Sequence, residues 1–132
     1  MIVVDTSAIF AILTKETGSH LLRDLIQQAS SAQVSTGTYL ELSIVCSRRA
    51  GDRAVLEMQA FLTAADIRLV PFDAAQADLA AEAYRTYGKG RHAAALNFGD
   101  CFAYALAKAL DAPLLYKGTD FAATDITPAA AG

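Results

Sequence analysis

Four acidic residues of the sequence stand where a parallel sheet would bring their carboxylates together. Asp5 directly follows the first predicted strand, and Asp120 lies just past a later one. Glu41 and Asp100 fall in the first turns of two predicted helices. Because strand ends and the beginnings of the following helices face the same edge of such a sheet, we predict that the four carboxylates converge there.

Converging carboxylates favour metal-dependent chemistry. Each ionised carboxylate raises the pKa of its neighbours, and a hard divalent cation reverses that effect by holding them ionised. Ligand sets made only of oxygen select Mg²⁺ or Mn²⁺ over zinc or copper. Such an ion lowers the pKa of a bound water and offsets the charge that develops on a phosphoryl oxygen. The hydroxyl of Thr6, next to Asp5, would hold a carboxylate or a water of this site, or would cap the following helix.

Each acid also has a purely structural interpretation. Asp5 would cap the helix after the first strand, and Glu41 completes a Thr38-x-x-Glu41 capping-box pattern. The dipole of a helix favours Asp100 in its first turn whatever its function. Asp120 would shape a Gly-Thr-Asp turn. These alternatives stay open for each residue taken alone.

Asp100 is the acid that points most strongly to a site, because the segment 101–107 after it is apolar on nearly every face. Such a helix is typically buried, and a buried carboxylate is costly unless it is paired or binds a cation. The remaining acids of the predicted helices and loops are expected to be solvated: Asp24, Asp52, Glu57, Asp66, Asp78 and Glu82. A metal ion therefore accounts best for the placement of Asp100.

The predicted elements alternate between short strands and helices. Strands are predicted at 2–4, 33–35, 67–71 and 114–116, with a last edge strand at 125–127. Helices are predicted at 6–13 with Thr6 or Ser7 as the cap, at 19–32, at 38–50 up to Gly51, after Asp52, after Asp73, and at 99–110. The small-residue tail 128–132 is predicted to be loose. This alternation predicts parallel pairing and an α/β sandwich.

Composition and charge bound the class of protein. The 132 residues are predicted to form a single domain, and 54% apolar with 19% charged residues indicates a compact globular fold. The formal net charge of -3 means that contacts to a nucleic acid would have to be local. The two cysteines, Cys46 and Cys101, are predicted to be buried free thiols, and no Cys/His cluster suggests zinc.

The sequence also predicts a compartment. Asp5 interrupts the apolar start, and no basic segment precedes it, so we expect no signal peptide. No apolar run approaches the roughly 18 residues of a membrane span. Free thiols fit a reducing environment. We therefore expect a cytoplasmic protein that does not cross a membrane.

Three stretches resemble one known family. They are VVDTSAIFAIL at the start, YLELSIV around Glu41, and LNFGDCFAYALAKALDAPLLYKGTDFAATDI near the end. In their order Asp, Glu, Asp, Asp they resemble PIN-domain ribonucleases, and more narrowly the VapC toxins of type II toxin–antitoxin pairs. The resemblance spans almost the whole chain, although residues 51–92 offer only compatible helices.

The resemblance implies roles for individual residues. Asp5 and Asp100 match the acids that bind the divalent ion, Mg²⁺ or Mn²⁺, in such proteins. Glu41 and Asp120 match the other two members of an acidic quartet, which complete the site or orient water. Three further residues match secondary positions of the family. Thr6 matches the small hydroxyl residue after the first acid, Asn97 would support the loop before Asp100, and Asp125 is a reserve acid that could join the site.

The resemblance also implies a fold, an activity and partners. The fold is a three-layer α/β/α sandwich around a central parallel sheet. The activity is metal-dependent endoribonuclease cleavage of transfer or ribosomal RNA by a toxin that forms a homodimer and is blocked by a cognate VapB antitoxin. Two alternatives are a housekeeping PIN-domain nuclease of RNA processing and a PIN-fold binding module without turnover. The complete set of four acids argues against the binding module.

Basic residues that could contact RNA form small local groups. They are Arg48, Arg49 and Arg53 near the end of the third predicted helix, Lys89, Arg91 and His92 in a glycine-containing loop, and Lys117 before the last acidic turn. If these groups flank the acids, they hold phosphates. Otherwise they are ordinary solvated surface.

Overall fold

The structure, a computed structural model, describes residues 1–129 of the chain. In this part of the chain, four strands and five helices follow one another in the order β1 (Ile2–Val4), α1 (Thr6–Leu13), α2 (Ser19–Gln28), β2 (Ala32–Ser35), α3 (Thr36–Ala64), β3 (Ile67–Val70), α4 (Ala74–Tyr87), α5 (Phe98–Leu110) and β4 (Leu114–Leu115).

The four strands form one parallel sheet in the order β3-β2-β1-β4. β1 pairs with β2 on one side and with β4 on the other. From β1 the chain adds β2 and then β3 on one side of β1, and β4 later pairs on the other side of β1. The strand order therefore reverses between β1 and β4. A crevice outside the carboxyl ends of strands at such a reversal is where parallel α/β sheets place their ligands. Asp5 directly follows β1 at this crevice.

Side chains of β1 alternate between two hydrophobic cores, one on each face of the sheet. Ile2 and Val4 pack with residues of α1, α2 and α3. Val3 packs with residues of α4 and α5. The two residues of β4 divide in the same way, with Leu115 in the first core and Leu114 in the second. This period-two alternation creates helix, sheet and helix layers, and confirms the predicted three-layer α/β/α sandwich.

The predicted break at Gly51 is a kink inside one helix. α3 runs from Thr36 to Ala64, and only Ala50 (φ -148°, ψ 19°) and Gly51 (φ 75°, ψ -163°) leave helical geometry. The positive φ of Gly51 is a conformation that glycine adopts without the cost a side chain would incur. The two predicted helices are therefore two segments of α3 on either side of this kink.

The second predicted helix ends earlier than expected, because the residues that follow it form a buried strand. α2 ends at Gln28, and Ala29 already has extended backbone. All four residues of β2 that follow are buried. Tertiary burial in the sheet therefore overrides the helical pattern that continued to residue 32.

The predicted edge strand at 125–127 is wrong. Only an isolated parallel bridge joins Leu114 to Pro128 there. The amide of Leu114 donates to the carbonyl of Thr127, and the amide of Ala129 donates to the carbonyl of Leu114, both over 2.9 Å. The beginning of the predicted loose tail is thus hydrogen-bonded, and residues 130–132 lie outside the described residues.

Two expectations about burial are confirmed. Cys46 and Cys101 are buried free thiols. The six acids expected to be solvated are all exposed.

Among the helices that the structure describes, none combines the length and the apolar character that crossing a bilayer requires.

Candidate active site

Asp5 is buried at the carboxyl end of the central strand and begins α1. It is 3% exposed. As the N-cap of α1, it accepts hydrogen bonds at Oδ2 from the backbone amide of Ser7 (3.0 Å) and from the Ser7 hydroxyl (2.6 Å). The interpretation of Asp5 as the helix cap is therefore confirmed, and the prediction of Thr6 or Ser7 as the cap is wrong, because both residues already lie inside α1. Oδ1 of Asp5 is buried without any hydrogen-bond partner.

Ser7 is a site residue that sequence reasoning missed. Its hydroxyl donates to Asp5 and accepts a hydrogen bond from the backbone amide of Lys117 over 3.0 Å. Lys117 follows β4, so Ser7 joins the two strand ends that flank the crevice. The only sequence signal was a hydroxyl two residues after an aspartate, a common local pairing at helix starts.

Glu41 is held by Thr6 rather than by a capping box. The Thr6 hydroxyl donates to Oε1 of Glu41 over 2.5 Å. α3 already begins at Thr36 with Ser35 as its N-cap, so the capping-box interpretation of Thr38 and Glu41 is wrong. The Thr6 hydroxyl therefore orients a carboxylate, which is one of the two roles expected for it.

Gly99 lets the Glu41 carboxylate approach the beginning of α5. A Cβ atom built on Gly99 would overlap both carboxylate oxygens of Glu41. Only a residue without a side chain fits between the carboxylate and the helix backbone at this point. Gly99 was named in the sequence only as a helix boundary, since its contact lies 58 positions away in the chain and leaves no local signal.

Asp100 lies at the beginning of α5, and a reciprocal capping box fixes its orientation. The backbone amide of Asp100 donates to Oδ1 of Asn97 over 2.9 Å, and the amide of Asn97 donates to Oδ2 of Asp100 over 3.0 Å. Asp100 is 8% exposed, so it is buried at the helix start as expected. Asn97 supports Asp100 in the way the sequence suggested.

Burial and mutual repulsion raise the pKa of both buried acids. Desolvation is the main cause for Asp5, whose pKa rises to about 6 although two hydrogen bonds from Ser7 oppose the change. Desolvation also dominates at Asp100 and raises its pKa to about 7, against the hydrogen bond from Asn97. The charges of Asp5, Asp120 and Glu41 raise the pKa of Asp100 further. The other three predicted acids therefore all lie within electrostatic reach of Asp100.

The other two acids near the chain end differ in position. Asp120 is exposed in the turn after β4, and its charge acts on Asp100. Asp125 instead accepts a hydrogen bond from the Tyr104 hydroxyl (2.6 Å) and pairs with the Lys108 ammonium (2.6 Å). Both partners belong to α5, so the reserve acid Asp125 has a structural role in fixing the C-terminal segment.

The acids do not form a compact ligand cluster. Among the residues described, 1–129, no group of three or more His, Cys, Asp or Glu side chains is arranged to hold one metal ion. The donor chemistry nevertheless fits a hard divalent cation. Asp5 presents a buried oxygen without a partner, and its pKa and that of Asp100 are raised by the kind of desolvation and repulsion that a cation offsets. Mg²⁺ commonly takes only one or two protein carboxylates and completes its shell with water.

The predicted basic groups separate into paired and unpaired residues. Lys117 donates to the carbonyl of Thr17 and lies 3.5 Å from a carboxylate oxygen of Glu16, so its side chain faces the α1–α2 loop. Arg53 pairs with Glu57 on the surface of α3. Lys89 and Arg91 are exposed in the α4–α5 loop, and no ion pair within residues 1–129 includes them.

Comparisons with known proteins agree with this architecture. A family model described as "PIN domain" matches residues 2–126. The chain is 49% identical over 124 residues to a protein of Mycolicibacterium smegmatis named "Ribonuclease VapC", covering 94% of this chain and 96% of that protein. It is 45% identical over 128 residues to "Ribonuclease VapC30" of Mycobacterium tuberculosis, covering 97% of this chain and 98% of that protein.

Two solved structures with a similar fold are described as a toxin and as a toxin–antitoxin complex. The structure of Mycobacterium tuberculosis VapC20, described as a toxin that cleaves the sarcin–ricin loop, superimposes with a TM-score of 0.77 at 19% identity and covers 96% of this chain and 97% of that one. A toxin–antitoxin complex from Klebsiella pneumoniae contains a chain with a TM-score of 0.71 at 14% identity, covering 95% of this chain and 93% of that one. At these identities the likeness concerns the fold.

Proposed function

The chain belongs to the PIN-domain family, among its VapC ribonucleases, and from this premise we propose that it is the RNA-cleaving toxin of a toxin–antitoxin pair. The observation that carries the proposal is the pair of buried carboxylates, Asp5 and Asp100, at the reversal of strand order. Burial raises the pKa of each acid, so keeping either one ionised costs free energy that its capping hydrogen bonds do not offset. Their placement is explained by a reaction that needs them.

The finer proposal is a hydrolysis that depends on Mg²⁺ or Mn²⁺. Asp5 and Asp100 are the residues that would hold the ion, with the unpartnered Oδ1 of Asp5 as one donor. When bound, the ion supplies positive charge that activates the attacking water and stabilises the phosphoryl oxygens of the transition state. Ser7 and Asn97 keep the two carboxylates in position through the hydrogen bonds at their other oxygens.

Glu41 and Asp120 complete the proposed quartet without belonging to a compact ligand set. Thr6 fixes the Glu41 carboxylate beside the beginning of α5, where it is placed to accept a proton from the water or to orient it. Asp120 lies in an exposed turn, from which it contributes negative charge next to Asp100. We assign Glu41 to proton handling and Asp120 to the outer edge of the site.

The proposed substrate is transfer or ribosomal RNA, the class that the family resemblance implies. A net charge of -3 provides no long-range attraction for RNA. The exposed and unpaired Lys89 and Arg91 supply local positive charge on the loop that leads to α5. They are the proposed phosphate contacts. The buried free thiols Cys46 and Cys101 fit a reducing compartment, so we place this activity in the cytoplasm.

The proposed partners are a VapB antitoxin and a second copy of the chain. Leu40 and Ile44 lie one turn apart on α3 and are 59% and 45% exposed. Neighbouring exposed apolar residues of this kind support a subunit interface. The oligomeric state is measured by sedimentation of the purified toxin, where a dimer supports this part of the proposal and a monomer at all concentrations contradicts it.

The decisive experiment compares three matched Asp→Asn variants on a transfer RNA and ribosomal RNA pool with added Mn²⁺. Asp5→Asn and Asp100→Asn should lose cleavage by roughly 10²- to 10⁴-fold, the scale of an essential group in proton or metal chemistry. Asp125→Asn, which removes an acid bound to Tyr104 and Lys108, should keep it. Circular dichroism verifies that each variant is folded. If the folded Asp5→Asn and Asp100→Asn variants cleave RNA at the wild-type rate, the assignment is refuted.

A further inference from the structure

Phe98 is the most exposed large apolar side chain in the described part of the protein. It is 78% exposed, although it begins the most buried helix, α5, and stands two residues before Asp100. A ring that stays in water forgoes most of the free energy that its burial would contribute. It therefore calls for a contact outside the chain.

The Phe98 ring packs against a second aromatic ring of α5. Its centroid lies 5.1 Å from that of Phe102 with an interplanar angle of 84°, and the Phe102 centroid lies 4.7 Å from that of Phe72 at 77°. Both arrangements are edge-to-face, the favoured geometry of aromatic pairs. Phe102 in turn lies against Gly37, where a Cβ atom would overlap its ring. The three rings form a packed series that ends at the exposed Phe98.

This series of rings borders the acids. Gly99, the next residue after Phe98, lies against the Glu41 carboxylate. Gly37, which lies against Phe102, precedes Glu41 by four residues on α3, which is about one helical turn. The beginning of α5 therefore carries the exposed Phe98 and, one residue later, the contact with the Glu41 carboxylate.

Phe98 lines an apolar cavity and follows a loop that carries basic residues. A cavity of about 540 Å³ beside it is lined by rings and small side chains: Phe72, Ala77, Tyr84, Phe98, Cys101 and Phe102. The loop before α5 carries the unpaired Lys89 and Arg91, and a bridge between Gly88 and Leu96 closes it two residues before Phe98. Ring faces beside free positive charge match a single-stranded nucleic acid, whose bases stack while its phosphates meet cations.

We propose that Phe98 positions the RNA, by stacking an unpaired base on its exposed ring so that an adjoining phosphate lies at the acids. The inference rests on the proposed ribonuclease function and adds a substrate contact to the same site. Because the lining consists mainly of aromatic rings and alanines, the contact is tolerant of base identity and serves placement rather than sequence reading.

Substitution kinetics separate stacking from simple apolar contact. Phe98→Leu keeps an apolar side chain of similar size but removes the ring, and Phe98→Tyr keeps the ring. Phe98→Leu should raise KM for RNA by roughly 5- to 150-fold, the range measured for loss of one stacked base, with kcat little changed. Phe98→Tyr should stay close to wild type. Equal activity of Phe98→Leu and wild type, or equal loss in both variants, would overturn the proposal.

Tryptophan fluorescence can report base stacking directly, because the chain contains no tryptophan. Phe98→Trp therefore introduces a single tryptophan, whose emission a stacked base should quench. The probe is a mixed-sequence single-stranded oligoribonucleotide of ~12 nucleotides, within the range of single-strand sites, added in a chelating buffer. Leu21→Trp, at an exposed position of α2 in the opposite layer, is the matched control and should not respond.

The outcomes distinguish this inference from the proposed function. Quenching of Phe98→Trp but not of Leu21→Trp supports stacking. Absence of quenching while the wild type cleaves RNA overturns the inference and leaves the ribonuclease intact. Quenching by the purified antitoxin, with none by RNA, overturns it in favour of a protein contact at Phe98. A wild type that cleaves no RNA contradicts the proposed function itself, whereas quenching of Phe98→Trp by RNA still supports the Phe98 contact.

Discussion

Thr6 and Glu41 are 35 residues apart in the sequence, yet the Thr6 hydroxyl donates a 2.5 Å hydrogen bond to Oε1 of Glu41. This bond connects the beginning of α1 to α3 across the crevice at the end of β1. It holds one proposed catalytic carboxylate by a residue that is itself adjacent to another, Asp5. The orientation of Glu41 therefore depends on the first turn of α1.

Replacing Thr6 by valine should lower activity without unfolding the protein. Valine has nearly the same shape but no hydroxyl, so the Glu41 carboxylate loses the donor that orients it. Removing a hydrogen bond that supports a site carboxylate typically costs about 10- to 100-fold in metal affinity or activity. Thr6→Ser keeps the hydroxyl and should retain most of the cleavage rate. Steady-state cleavage of a labelled RNA measures the difference, and equal rates for the two variants would show that the bond is dispensable.

Gly99→Ala should displace the Glu41 carboxylate while leaving the helix intact. The new methyl group would overlap the carboxylate oxygens, which lie at the end of a flexible side chain and can move away. Alanine favours helix by roughly 0.5–1 kcal/mol over glycine in a helix interior, so the melting temperature should not fall much. Cleavage should decrease by about 10-fold or more, on the scale of a disturbed site group.

A double-mutant cycle identifies the route of this effect. If Gly99→Ala acts through Glu41, it should have little further effect in a Glu41→Ala background, since the displaced group is already gone. Multiplicative losses in the double variant would mean that Gly99 acts on something other than Glu41.

Mn²⁺ should raise the melting temperature of the wild type and not that of Asp100→Asn. A ligand that binds only the folded protein stabilises it by about 2.7 kcal/mol at a free concentration of 100 times Kd. In Asp100→Asn the amide oxygen still accepts from Asn97, but the charge that would bind the ion is lost. The same variant should melt higher than the wild type in metal-free buffer, because a desolvated charge has been removed. Thermal melts with EDTA and with Mn²⁺ test both statements, and an equal Mn²⁺ shift in the two proteins would contradict the assignment of Asp100 as a ligand.

Acid should remove a stabilising contribution of Asp125. Partial burial by itself raises the pKa of Asp125, but hydrogen bonds from Lys108 and Tyr104 outweigh it and place the pKa below its ordinary value. A carboxyl whose pKa is lower in the folded protein adds stability above its unfolded pKa, and this stability disappears as the pH falls through the folded value. The melting temperature of wild type should therefore exceed that of Asp125→Asn near pH 6, and the difference should shrink below about pH 4.

The control for this pH dependence is the surface pair of Arg53 and Glu57, whose side chains are 90% and 65% exposed. Exposed pairs contribute little, so Glu57→Gln should melt like the wild type at both pH values. A difference for Asp125→Asn that persists unchanged at pH 3 would show that its contribution is packing rather than charge.

Part of the fold followed from local patterns. Asp73 caps α4 as predicted, accepting from the amide of Gln76 over 2.9 Å. The positive φ of Gly51 interrupts α3 where the sequence placed a break. Both features depend on interactions within a few residues, which a single sequence displays directly. The end of α2 was predicted wrongly because burial of β2 in the sheet overrides the helical pattern, and the expected edge strand at 125–127 does not form.

The candidate site also combines features that local sequence patterns predict with features that depend on the tertiary structure. The sequence by itself determined that acids follow the first strand and begin the apolar helix, since strand and helix periodicity fix where such residues fall along the chain. Only the tertiary structure decided that Thr6 holds Glu41, that Gly99 makes room for it, and that Ser7 joins Asp5 to the amide of Lys117. Those contacts join residues 35, 58 and 110 positions apart. Their existence depends on how the layers pack and on the reversal of strand order at β1, which no local pattern of side chains encodes.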